Sequence, residues 1–236
     1  MMTFTRPDSL SIMYFLYLIL FVSLAIPFGV FMADRRTGQK GLKRTLIVIF
    51  AMSCWLGVFS LIVKSGILQR QMIPLLPLFL ILSLVISICF ALSKAGGWLA
   101  AGLPISALVF FQSFRLPLEL ILHSWVERGI IPSTMSWGWD GQNFDILSGI
   151  LALLLFPIAS KFRKAAWLFN IVGFALLINV IRVAIFSSPL PFAWNVTPPL
   201  LLIFHLPFAY IVPVCVGGAL AGHIILTRAL LKPKRE

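Results

Sequence analysis

The sequence predicts an all-α fold: a polytopic transmembrane helical bundle of about seven spans, with the N-terminus outside and the C-terminus inside. Three observations predict it. Of the 236 residues, 60% are hydrophobic and only 11% are charged, where a soluble domain carries about 25% charge. That is too little charge to coat a water-facing surface, and it excludes a soluble cytosolic enzyme. The apolar residues fall in blocks near 20 residues long, the length a helix needs to cross a bilayer. The basic residues lie in short clusters between those blocks, the pattern of a membrane topology signal. The net charge of +12 therefore reads as topology and not as nucleic-acid binding.

The first span, 10–32, is too long for the apolar region of a signal peptide. One basic residue, Arg6, precedes it and five follow: Arg35, Arg36, Lys40, Lys43 and Arg44. That asymmetry predicts an external N-terminus and a retained helix. The second span is 45–63 and the third 73–93. The fourth, 97–123, is the one with the most ionisable residues. The fifth, 144–160, is short. The sixth is 165–187 and the seventh 200–227. Alternating sides along these spans puts thirteen Lys and Arg inside and four outside, with Arg115 and Arg182 within spans. Trp125, Trp137 and Trp139 fall in or beside an outside segment and fit an interfacial aromatic belt. The whole chain, 1–236, reads as a single transmembrane domain, without an internal repeat. Its longest hydrophilic stretch is 124–143. The basic tail from Lys232 to Glu236 reads as a solvated cytoplasmic end, within reach of anionic lipid. The expected location is the plasma membrane, the inner membrane of a bacterium.

Ionisable groups within spans are costly, and such residues mark a functional site by default. Arg115, Glu119 and His123 recur every four residues, on one helical face. Pro117 between them frees the carbonyl of Ser113. The fifth span begins at Asn143 and Asp145, the sixth carries Asn179 and Arg182, and the seventh carries His205. Counted from the span ends, all of these fall in the outer half. Two functional readings follow. Arg115 and Arg182, with Asn143, Asp145 and Asn179, form a ligand-binding pocket for an anion, since guanidinium forks suit carboxylates and phosphates. Glu119, His123 and His205 are the candidates for catalysis or proton movement. The structural alternative is that Arg115–Glu119 and Arg182–Asp145 are buried ion pairs that fix helix packing.

Other chemistries find little support. Cys54, Cys89 and Cys215 match no metal or redox spacing, and the HExxH, GxSxG and P-loop motifs are absent. A site of His123, Glu119 and His205 is the one metal-binding set to consider; His223 falls 18 residues beyond His205, too far to join it. No metal and no cofactor is expected. The last span lacks the lysine that a retinal protein needs. Asn195-Val196-Thr197 is a weak glycosylation match.

Leu147-Ser148-Gly149, then Asn179-Val180-Ile181-Arg182, then Phe204-His205 occur in that order over about 145–225. In this the C-terminal half resembles the exosortase/archaeosortase family of membrane transpeptidases, which pairs a cysteine before Ser-Gly with a later Asn-x-x-Arg and a His. Here Leu147 stands at the cysteine position. The resemblance therefore implies an exosortase-like protein without the nucleophile, and not a cysteine transpeptidase. The run from Phe114 to His123, with Gly141 to Ile146, also resembles a family of bacterial polytopic membrane proteins, which implies no activity. The expected function is binding or processing of an anionic ligand, a lipid headgroup or a peptide carboxylate, in an outer-leaflet pocket. The alternatives are a proton-coupled small-molecule transporter and a structural or assembly protein. Beyond the lipid bilayer and that ligand no partner follows from the sequence.

Overall fold

A computed structural model describes residues 4–38 and 42–232. Lys40, Lys234 and Arg235, counted above with the basic residues, lie outside the described residues, as does Glu236. Among the described residues every regular element is helical. The elements are α1 (Ser9–Arg36), α2 (Leu42–Lys64), the short α3 (Ile67–Arg70), α4 (Met72–Leu92), α5 (Lys94–Gly102), α6 (Ile105–Phe111), α7 (Arg115–Glu127), α8 (Ile146–Ala159), α9 (Arg163–Phe186) and α10 (Gly217–Leu230). Among the described residues, six helical stretches are long and apolar enough to cross a membrane: α1, α2, α4, the α6–α7 pair, α9, and the stretch Phe208–Leu230 that ends in α10. The chain is a multi-pass membrane protein with a helical bundle.

The elements differ from the sequence reading in three places, each with a local cause. The long span expected over 97–123 is three helices. Ser93 accepts from Ala95 N and caps α5, and Pro104 then separates α5 from α6. A 3-10 turn, Gln112–Phe114, joins α6 to α7, so Arg115 opens α7 near the middle of the Ile105–Glu127 stretch. The expected fifth span is α8 alone, 14 residues, about 21 Å at 1.5 Å per residue and short of the roughly 30 Å hydrocarbon core. The expected seventh span starts late. Residues 200–207 are largely irregular, and Phe208–Ile211 is 3-10, Val212–Val216 is a π-helical turn, and only then does α10 begin.

The segment before α8 folds back into the bundle. Trp125, Ile130, Ile131 and Met135 are buried with Phe15, Val22 and Phe208 in one apolar core. Irregular backbone at membrane depth is tolerated when protein surrounds it, and these side chains supply that surround. Trp125 donates its indole N–H to Ser11 Oγ at 3.1 Å, and Thr134 meets Ser187 at 2.6 Å. Arg128 pairs with Asp8 and Phe4 stacks on His205 at 4.1 Å. One end of the bundle is thus closed by the N-terminal segment, the 128–145 loop and the 187–207 connection.

The other end gathers arginines. Arg44 pairs with Asp34 at 2.8 Å and lies over Trp98 at 4.4 Å. Arg228 donates to Ser93 O at 3.1 Å, and Arg163 to Lys232 O at 2.7 Å. The Arg228 and Arg163 contacts tie helix ends together through backbone carbonyls, which a helix C-terminus leaves free.

Candidate functional site

The centre of the site is a buried ion pair that sequence spacing does not indicate. Arg115 does not bond to Glu119, four residues along the same helix. Its Nε donates to Asp145 Oδ2 at 2.6 Å and its Nη2 to Asp145 Oδ1, a two-pronged geometry that suits guanidinium and carboxylate. Its Nη1 donates to Gly173 O at 3.1 Å and meets His223 Nε2 at 3.0 Å. Arg115 is 1% exposed, and four of its five N–H groups are engaged.

Those contacts set the state of His223. Arginine can only donate, so His223 Nε2 accepts. His223 Nδ1 faces Asn170 Oδ1 at 2.9 Å, Asn170 Nδ2 donates to Thr227 Oγ1 at 2.7 Å, and Thr227 Oγ1 donates to His223 O at 2.9 Å. The pattern assigns the neutral Nδ1–H tautomer, with every member satisfied. Glycine makes the approach possible: a Cβ on Gly173 would lie 2.7 Å from His223 Cε1.

Glu119 has a different partner. Asn143 Nδ2 donates to Glu119 Oε2 at 2.7 Å, and Asn143 Oδ1 accepts from Asp145 N at 3.0 Å. Asn143 is therefore the link that holds the Glu119 carboxylate beside the ion pair. Glu119 is 1% exposed, and among the described residues no cation lies within ion-pair distance of it.

These groups face a cavity of about 310 Å³. Pro77, Leu80, Ile81 and Leu84 of α4 wall one side. Leu118 and Leu122 of α7 and Leu177, Val180 and Ile181 of α9 wall the other. Ser188, Leu190, Phe192 and Leu200 close the end towards the 187–207 connection. Arg115, Glu119, Asp145 and Cys215 also line it. Arg115 and Glu119 on α7, Asp145 at the head of α8 and Cys215 thus give the apolar walls a polar floor. Cys215 belongs to the π-helical turn, a feature often found at functional sites.

The remaining expected site residues lie elsewhere. Arg182 is exposed, donates to Asn179 Oδ1 at 3.0 Å and lies over the Trp194 ring at 5.5 Å. Asn179 Nδ2 donates to Gln142 O at 2.8 Å. So Arg182 pairs with no carboxylate among the described residues and does not share a site with Arg115; the Arg182–Asp145 pair considered above does not form. His123 Nδ1 meets Ser136 Oγ at 2.7 Å, its ring stacks on Trp137 at 4.2 Å, and its Nε2 stands 3.5 Å from Glu127. Ser136 is buried and its Oγ accepts from Gly138 N, so this group staples the 128–145 loop to α7. His205 stacks on Phe4 ahead of the last membrane stretch, and burial pushes its pKa below the ordinary value. Glu119, His123 and His205 thus keep separate partners. Leu147 is half exposed, and no hydrogen bond or ring contact joins it to Arg182 or His205 among the described residues.

Sequence reasoning passed over Asn170 and His223 as site residues. His223 reads as lying near the inner end of its span, yet it meets Arg115 mid-bundle. The available signal was its place among small residues, Gly217-Gly218-Ala219 and Ala221-Gly222, which let helices approach. No family model, curated protein or solved structure matches the chain.

Proposed function

We propose that this chain is a plasma-membrane protein, N-terminus outside and C-terminus inside, that binds a predominantly apolar small molecule carrying one compact polar group. The single observation behind this reading is the 310 Å³ cavity with apolar walls and a floor of Arg115, Asp145 and Glu119. Apolar pockets with a few convergent polar groups are the usual form of a small-molecule site, at roughly 300–1,000 Å³. This cavity lies at the low end, which suits a single short chain. The ligand reaches it laterally, from the bilayer. The orientation is supported by Arg44, Arg163 and Arg228 meeting at one end, the side that positive residues favour.

An anion clamped between two arginines is a weaker reading, because Arg115 has its donors engaged and Arg182 stands apart. The resemblance to exosortases would make the bound molecule a retained ligand and not a cleaved one, since Leu147 cannot act as nucleophile. Proton-coupled transport gains one supporting observation: the polar chain continues through His223, Asn170 and Thr227 beyond the cavity. Against it, Arg115 holds a fixed positive charge in that chain, a barrier to protons.

The test is retention of radiolabelled decanol by the protein in lipid nanodiscs, measured against empty nanodiscs. Saturable binding near one equivalent is expected, lost in Leu177→Trp, which fills the cavity, and kept in Arg182→Ala. No saturable excess over empty nanodiscs refutes the reading.

A further inference from the structure

The floor of the cavity holds two carboxyl groups, Glu119 and Asp145, against one guanidinium, Arg115, and this bears on the polar group it takes. Arg115 and Asp145 cancel each other in a two-pronged pair. His223 cannot take a second proton without turning an N–H toward the Arg115 guanidinium, so it adds nothing. Glu119 is left over. Its one hydrogen bond among the described residues comes from a neutral amide, Asn143, and Arg115, though one turn away, is turned to Asp145. Cys215 contributes no positive charge. Burying an uncompensated carboxylate among apolar walls is expensive, and two things relieve it: a proton, or a cationic or N–H-bearing group on the ligand.

We propose that the ligand's polar group is an amine or a comparable cationic hydrogen-bond donor, received by the Glu119 carboxylate. This rests on the reading of the cavity as a ligand site and names the chemistry that site selects. Arg115 is committed to Asp145 and so offers Glu119 no direct partner, and Asn143 aims the Glu119 carboxyl. A carboxylate ligand meets repulsion from Glu119 and finds almost no free N–H on Arg115. Charge-assisted hydrogen bonds are roughly twice as strong as neutral ones, so the preference is large.

The experiment uses three probes with one apolar chain: decylamine, decanol and decanoate. Each displaces radiolabelled decanol from the full-length protein in nanodiscs, corrected for its own partition into empty nanodiscs. Decylamine is expected to displace at least tenfold more effectively than decanoate. Glu119→Gln, which keeps an acceptor for Asn143, is expected to abolish that difference. Decanol binding with equal competition by amine and acid overturns the inference, showing a protonated Glu119, while the cavity reading stands. Stronger competition by decanoate overturns it in favour of an anionic ligand. An amine preference that persists in Glu119→Gln also overturns it, since the charge then resides elsewhere. No saturable decanol binding fails the cavity reading itself.

Discussion

Replacing Asp145 by Asn removes the carboxylate that is bonded to Arg115 and leaves the side-chain shape almost unchanged. The guanidinium is 1% exposed and sits mid-bundle, so water cannot take over the lost contact. Gly173 O and His223 Nε2 remain as its acceptors, and both are neutral. Breaking one side of a buried pair costs about 3–5 kcal/mol, because the surviving charge is stranded. At 1.4 kcal/mol per tenfold, that is roughly a 100- to 4,000-fold shift toward the unfolded state. The companion variant is Arg115→Met with Asp145→Leu, which removes both charges; such exchanges are often neutral or stabilising. The assay is reversible SDS-driven unfolding in mixed micelles, followed by tryptophan fluorescence. The expected order is wild type and double variant close together, with Asp145→Asn well below both. If Asp145→Asn unfolds within about 1 kcal/mol of wild type, Arg115 is not dependent on Asp145. The electrostatics assigned to the cavity floor would then be wrong.

Three further outcomes follow from the packing. Gly149→Ala should destabilise by about 1–3 kcal/mol in the same assay, because its new Cβ would press on the Leu116 backbone N and lie 2.7 Å from Leu116 Cβ, forcing α8 off α7. Gly57→Ala meets nothing within 4 Å and should stabilise α2 by about 0.5–1 kcal/mol; a loss there would contradict the described helix. Arg182→Ala should stay within about 0.5 kcal/mol of wild type, since Arg182 is exposed and meets no carboxylate among the described residues; a larger loss would restore it to the core network. In a background without the native cysteines, an impermeant maleimide on intact cells should label Trp139→Cys at once. It should label Lys94→Cys only after permeabilisation, and the reverse pattern would invert the proposed orientation.

The membrane character of this chain was legible in the sequence because hydropathy is a local property. Any stretch of about 20 apolar residues must avoid water, whatever it packs against. Thus α1, α2, α4 and α9 stand where the apolar blocks place them. Charges within those blocks were equally visible, since their cost does not depend on their partner. Their pairing was not. Helical spacing set Arg115 beside Glu119, but the carboxylate it bonds is Asp145, 30 residues away, and its histidine lies 108 residues away. Position along the bundle was hidden for a related reason. Counting from 97 treats 97–123 as one rod, whereas Pro104 and the turn at Gln112–Phe114 reset the count and leave Arg115 near the middle. His223 read as an inner-end residue until its approach to Gly173 brought it to the same level. Which residues carry charge was decided by sequence; which charges cancel, and so which carboxylate is left facing the cavity, was decided only by how close the helices come. That closeness depends on side chains absent at glycine and on segments folded back from the ends, neither of which any single stretch of sequence contains.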